Sequence, residues 1–304
     1  MASPSNFAGQ PSNNAGSPPS SDLASEEGVD GYPASLVNGP GGLYGTTSSP
    51  PLKDRVAIIT GGSGGIGSAI TTHLASLGAK VVIGYVGDPT PADILASTLN
   101  NSTTANSGAR AIVVEADISN EEQVKYLFDK AQSTFGPTIH ILVAAAGVQD
   151  PKYPPLAETT LQQWEWVYNI NAKGTFLCCR EAANRLVRGG GGRIITMSSS
   201  TVGSLRPGYS TYSSTKGAIE VMTKILAKEL KGTGITANAV APGPIATPLF
   251  YAGKSEERIR AVAAESPMGR LGTPEDVAPT VGFLASDAGE WVNGQIIRLN
   301  GGYV

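Results

Sequence analysis

Only two cysteines occur in the 304 residues, Cys178 and Cys179, and they are adjacent. Such a pair cannot build a disulfide framework, so the chain reads as a protein of a reducing compartment with buried thiols. Histidine is as scarce: His73 and His140 are the whole supply, and neither has a companion at ligand spacing. That argues against a metal site. No apolar run approaches the roughly 18–20 residues that a membrane span needs. The net charge is only −3. The basic surplus that would draw nucleic acid or an anionic membrane surface is missing.

Residues 1–52 contain no Lys or Arg, and half of them are Ser, Pro or Gly. Such a segment has too little apolar surface to offset the entropy of ordering it. We expect a disordered tail over residues 1–51 and a single α/β domain over residues 52–304. The tail lacks the apolar centre of a secretory signal. It is Ser-rich, as plastid transit peptides are, but Asp22, Glu26, Glu27 and Asp30 and the want of Arg argue against one. The expected location is cytoplasmic, with the plastid as the alternative. Beyond the tail, 22 basic residues face 21 acidic ones, a near-neutral balance.

What the chain does have is alternation. Apolar, β-branched runs at 55–60, 80–85, 110–115, 139–146, 192–198, 235–240 and 295–299 read as strands. Helical patterns fill the gaps at 65–77, 91–106, 120–135, 160–188, 210–231 and 274–286. Strand and helix in turn imply a doubly wound, Rossmann-type parallel sheet of about seven strands with helices on both faces. Ligands of such sheets sit beyond the carboxyl ends of the strands. Thr60, Asp117, Gly147, Ser200 and Pro242 all follow predicted strand ends.

Two local patterns carry chemistry. Thr60-Gly61-Gly62-Ser63-Gly64-Gly65-Ile66-Gly67 stands between the strand 55–60 and the helix that follows. Strand, glycine turn and helix is the setting of a dinucleotide fingerprint, in which backbone approaches a pyrophosphate and the helix N-terminus offers free N–H groups. Tyr212 and Lys216 are four residues apart, one helical turn, and so emerge on one face. A phenol is a weak acid, with a reference pKa of about 10. An adjacent ammonium is expected to favour the phenolate and make it a usable proton donor.

With these motifs the chain resembles the short-chain dehydrogenase/reductase family from about Leu52 to Val304. The glycine pattern of that family is matched by Thr60, Gly61, Gly65 and Gly67. Its active-site serine, before x-x-Gly at a strand end, is matched by Ser200-Thr201-Val202-Gly203, with Ser198 and Ser199 as neighbours. Its Trp-to-Asn pattern fits Trp164 and Asn171, with Asn169 close by, and its Pro-Gly motif fits Pro242-Gly243-Pro244-Ile245-Ala246-Thr247. Within the family, plant aldehyde reductases and sugar or polyol dehydrogenase homologues are the most similar in wording. One departure is plain: Ala144-Ala145-Ala146-Gly147 stands where the family has an asparagine, and alanine cannot make that residue's hydrogen bonds.

The resemblance implies hydride transfer between a nicotinamide and a small-molecule carbonyl or alcohol. Tyr212 would be the acid/base, Lys216 its tuner and ribose ligand, Ser200 the substrate hydrogen-bonder and Asn171 the holder of a relay water, or else a packing residue. Cofactor contacts would come from Gly61, Ser63, Gly64, Gly65, Ile66 and Gly67, then Tyr85, Asp117 and Ile118. Ala145, Ala146, Gly147, Tyr212, Lys216, Pro242, Gly243, Ile245 and Thr247 complete the set. Asp117 reads equally as the N-cap of the helix at Glu121, and Thr247 as turn chemistry. The end of the second strand, Gly84-Tyr85-Val86-Gly87, has no acid before Asp88, so NADP(H) is favoured and NAD(H) is the alternative. No cation is evident for a 2′-phosphate. Residues 244–270 resemble a substrate lid. A homodimer or homotetramer through the helices at 160–188 and 210–231 is expected.

Overall fold

Five consecutive buried residues, Val56–Thr60, make the first strand, β1. Side chains buried on both faces are what a central parallel strand requires. The structure, a computed structural model, describes residues 49–102 and 109–304, so the expected tail lies almost wholly outside the described residues. After β1 the chain runs through Gly65–Ser76 (α1), Lys80–Tyr85 (β2), Thr90–Asn101 (α2), Ala111–Glu115 (β3), Glu121–Phe135 (α3) and Ile141–Ala144 (β4). Leu161–Tyr168 (α4), a wide π turn over Asn169–Gly174, Thr175–Arg185 (α5), Arg193–Met197 (β5), Thr201–Ser204 (α6) and Ser210–Glu229 (α7) follow. Thr236–Pro242 (β6), Pro248–Tyr251 (α8), Glu256–Glu265 (α9), Pro274–Ala285 (α10) and Ile296–Leu299 (β7) complete the order.

The strands form one sheet in the order β3-β2-β1-β4-β5-β6-β7, and every neighbouring pair is parallel. Two apolar layers cover it. One joins Ile70 and Leu74 of α1 to Leu99 of α2 and Val277 and Val281 of α10. The other joins Leu127 and Phe128 of α3 to Leu177 and Cys178 of α5. Burial raises the pKa of both Cys178 and Cys179. His140 serves the frame: its Nδ1 accepts the Val56 N–H at 3.1 Å.

The strand order reverses between β1 and β4, whose register pairs Thr60 with Ala144. The crevice of a doubly wound sheet opens there. The expected strands fall on observed ones, although 139–146 shortens to Ile141–Ala144. The expected helix at 91–106 is described as far as Asn101, and residues 103–108 lie outside the described residues. The expected helix at 160–188 is instead broken by the π turn. The cause is tertiary. Gly174 packs so closely on Ile118 that a Cβ would sit 2.6 Å from its Cγ1, and Asn171 is drawn to the loop after β4. Among the described residues no helix is long and apolar enough to cross a membrane.

Candidate active site

The glycine loop after β1 is shaped by close approach. Gly61 has φ +63°, and a Cβ there would lie 2.9 Å from the Ala146 Cα. At Gly67 a Cβ would fall 2.0 Å from the Gly61 carbonyl oxygen. Only glycine fits either position, and the loop lies flat against the end of β4. No side chain caps α1. Its first-turn N–H groups, at Gly65, Ile66 and Gly67, have no acceptor inside the helix and are left as free donors at its positive end. Gly65 touches Thr247, whose Cγ2 would be 3.0 Å from an added Cβ. The loop and the segment after β6 therefore form two walls of one groove. Glycine cradle and bare helix N-terminus fit the pyrophosphate of a dinucleotide.

At the end of β2, Tyr85 leads to Val86, which is 63% exposed. The carboxylate of Asp88 accepts the Thr90 N–H at 2.9 Å, a bond that pulls its pKa down. Asp88 is thus spent on starting α2. Asp117 is not the cap of α3. Asn120 is, accepting from Glu122 and Gln123, while Asp117 accepts the Ser119 N–H at 2.9 Å. Ile118 is buried beneath Gly174.

The Ala144-Ala145-Ala146-Gly147 floor, lacking asparagine, is pinned from outside. The Ala146 N–H donates to Thr60 Oγ1 at 3.2 Å. One step on, Asn171 accepts the Val148 N–H at 2.8 Å and donates to the Val148 carbonyl at 2.9 Å. Its amide also reaches Thr215 Oγ1 at 3.2 Å. Asn171 is fully buried and joins the β4 loop to α7.

Three consecutive serines after β5 point three ways. Ser198 donates to Glu220 Oε1 at 2.8 Å. Ser200 donates to the Ala241 carbonyl at 3.0 Å and accepts from Asn300 Nδ2 at 3.0 Å. Ser199 Oγ accepts the Thr201 N–H at 3.2 Å, and its hydroxyl acts on the Tyr212 phenol, whose pKa it lowers. The sequence pattern selected Ser200, but Ser200 already has helical angles, φ −63° and ψ −10°, at the entry to α6. Spacing alone does not say where strand becomes helix.

Tyr212 and Lys216 do share a face of α7. The Lys216 Nζ is 5.5 Å from the Tyr212 ring centroid and donates to the Met197 carbonyl at 2.8 Å. The expected direction of tuning is corrected by burial. Desolvation carries the Tyr212 pKa up to about 12, against the pull of Ser199, and lowers Lys216 to about 8. Burial disfavours the charged form of each group, and neither group is among the causes of the other's shift.

Pro242 ends β6, and Gly243 carries the chain on to Thr247, which caps α8 by accepting the Phe250 N–H at 3.2 Å. Gly243 donates its N–H to Leu299, and Ile245 pairs with Gly272. Gly147, Ser199, Tyr212, Lys216 and Thr247 line one cleft, whose outer part is formed by Tyr153, Tyr209, Lys254 and Tyr303. Lys254 falls in the expected lid, residues 244–270, while the other three have no role in the sequence reading. No motif marks them, because they come from separate loops.

A family model described as enoyl-(acyl carrier protein) reductase matches residues 61–304. An NADPH-dependent aldehyde reductase-like protein, chloroplastic, of Arabidopsis thaliana is 55% identical over 267 residues, which cover 86% of this chain and 99% of the relative. A short-chain type dehydrogenase/reductase of Picea abies is 55% identical over 254 residues, 83% of this chain and 93% of the relative. A short chain dehydrogenase from Burkholderia cenocepacia, solved in complex with NADP, superposes with a TM-score of 0.76 at 30% identity, covering 83% of this chain and 99% of that one.

Proposed function

This chain belongs to the short-chain dehydrogenase/reductase family, and on that footing we propose an NADP(H)-dependent oxidoreductase that interconverts a carbonyl and an alcohol. The observation that carries the reading is the convergence of Ser199, Tyr212 and Lys216 on the cleft that the glycine loop opens into. Two plant relatives at 55% identity, one of them named NADPH-dependent, and the NADP complex support it.

The nicotinamide supplies the hydride when bound. The Gly61–Gly67 loop, with Ser63, Gly64, Gly65 and Ile66, would hold its pyrophosphate. Asp117 and Ile118 would flank the adenine, and Tyr85 and Val86 the 2′-phosphate. Ala145, Ala146 and Gly147 would form the floor, with Ile245 and Thr247 beside the carboxamide. Tyr212, with a pKa of about 12, keeps its proton at neutral pH and gives it to the carbonyl oxygen in reduction. Ser199 donates a hydrogen bond to the same oxygen, where negative charge develops. Lys216 supplies positive charge on the same face of α7, which favours the phenolate required in the oxidative direction. Asn171 and Ser200 act as positioning residues.

Exposed apolar side chains on α4, α5 and α7, among them Leu161, Trp166, Phe176, Val221 and Ile225, support a homodimer or homotetramer closed through these helices. A monomeric mass by light scattering at micromolar concentration would refute it. The cytosol is the proposed compartment. Recovery of the protein from purified plastids, the location in the name of the Arabidopsis relative, would replace that proposal.

The deciding assay follows NADPH consumption against a panel of aldehydes and ketones, with a crotonyl thioester as the carbon–carbon double-bond control. Turnover of carbonyls is expected. A protein that binds NADPH but reduces none of the panel would be a cofactor-binding protein instead.

A further inference from the structure

Lys254 is a cation on the outer wall of the cleft with no acid to meet it. It lies between α8 and α9, and its Nζ donates to the Tyr153 hydroxyl and to the Phe250 carbonyl. The ammonium stands 4.4 Å from the Tyr153 ring centroid and 4.6 Å from that of Phe250. Tyr153 is held in turn, donating to the Ala252 carbonyl at 3.0 Å and packing 5.0 Å from the Tyr209 ring. An ammonium has three protons, and these two hydrogen bonds use two of them.

The other cations of the cleft are Arg206 and Lys216. Arg206 is paired with Glu265, and Lys216 is bonded to the Met197 carbonyl. No Asp or Glu lines the cleft. Asp150, whose charge acts on Tyr153, is engaged by Gln163 Nε2 and the Lys152 N–H. Among the described residues no carboxylate pairs with Lys254. Its pKa is lowered to about 8, first by burial and then by the neighbouring cation Arg258. Placing an ammonium against aromatic rings without a counter-charge costs free energy. Cation–π contact with two rings offsets part of that cost. A ligand that brought an anion to this point would supply the rest.

We propose that Lys254 recognises an anionic oxygen of the substrate, so that the preferred substrates are carbonyl or alcohol compounds carrying a carboxylate remote from the reacting carbon. The proposal rests on the reading of this cleft as a reductase active site. Tyr153, Tyr209 and Phe250 give the body of such a molecule flat walls to pack against, which favours a ring between the two groups.

The test compares meta- and para-formylbenzoate with their methyl esters, as ratios of catalytic efficiency with NADPH. The two isomers sample different separations between aldehyde and carboxylate. In the wild type at least one acid should exceed its ester by about tenfold, the scale of a partly desolvated charge pair. Lys254→Met, which keeps the apolar stem, should bring that ratio close to one, and Lys254→Arg should hold it between the two. Because each value is a ratio within one protein, a general loss of activity or folding cancels. A wild-type ratio at or below one for both isomers overturns the proposal, and so does a ratio unmoved by Lys254→Met. If neither acids nor esters are reduced, the wider carbonyl panel decides the reductase reading, separately from the anion site. Calorimetric titration of para-formylbenzoate then decides the anion site. Affinity reduced about tenfold in Lys254→Met upholds it, and equal affinity overturns it.

Discussion

Asn300 Nδ2 donates to Ser200 Oγ across 3.0 Å, and Ser200 Oγ donates onward to the Ala241 carbonyl, also at 3.0 Å. These bonds tie Ser200 to the ends of β6 and β7. Ser199 is left as the hydroxyl turned to the Tyr212 phenol.

The two serines should therefore respond differently to removal. Ser199→Ala takes a donor from the oxygen where charge develops and should lower kcat by about 10²-fold, with little change in Tm. Ser200→Ala removes two hydrogen bonds, one to the half-buried Asn300 amide and one to the buried Ala241 carbonyl, each worth about 0.5–1.5 kcal/mol, and should appear as a lower Tm with a milder loss of rate. Kinetics and thermal melts of both variants decide the matter. The opposite pattern would return the substrate contact to Ser200.

Tyr212→Phe keeps the ring and removes the proton. Turnover should fall by about 10²-fold or more, while NADPH affinity measured by fluorescence titration stays nearly constant. A variant with near-normal turnover would remove Tyr212 from the chemistry.

Cofactor choice can be tested at Val86, because Gly84 is confined: a Cβ there would come within 3.2 Å of the Ile59 carbonyl oxygen. Val86→Asp puts a carboxylate where a 2′-phosphate would lie. NADPH should weaken by roughly tenfold to a hundredfold relative to NADH, read as the ratio of catalytic efficiencies at one fixed carbonyl substrate. The wild type should favour NADPH. A wild type that favours NADH would transfer ribose recognition to a backbone contact or to Asp88.

Lys216 gives a signature in stability. Its pKa is about 8 in the folded protein against an ordinary 10.5. Between those values the unfolded chain carries a proton that the folded chain has released, so the contribution of this lysine to stability rises with pH across the window and is least favourable below it. Lys216→Met removes the titration. The Tm difference, variant minus wild type, should be most positive near pH 7 and should decline toward about pH 10. A difference that is flat, or that grows with pH, would mean that the ammonium is not desolvated.

The sheet was legible because most strands are short β-branched runs between turn residues, as in Val56–Thr60 and Ile141–Ala144. The Tyr212–Lys216 face was legible because one helical turn is a property of spacing. The π turn was not, since it depends on Gly174 meeting Ile118 and on Asn171 meeting Val148, contacts between distant segments. The cap of α3 fell to Asn120 rather than Asp117, because both residues suit the role and only the backbone path selects one. The direction of the Tyr212 shift was missed for a related reason. Sequence shows the neighbouring charge but not the depth of burial, and burial dominates. Lys254 meets Tyr153 across the fold, and no local pattern announces such a pair.

Asn300 has a second partner, the Val304 carbonyl at 3.0 Å, and the neighbouring Tyr303 lines the cleft beneath the Arg206 guanidinium, 5.1 Å from its ring centroid. The practical consequence concerns how the protein is made. A purification handle fused after Val304 would pull on the amide that holds Ser200 and on a wall of the cleft, so constants measured with it in place would describe an altered enzyme. Cleaving such a handle before assay, or attaching it elsewhere, protects the measurement.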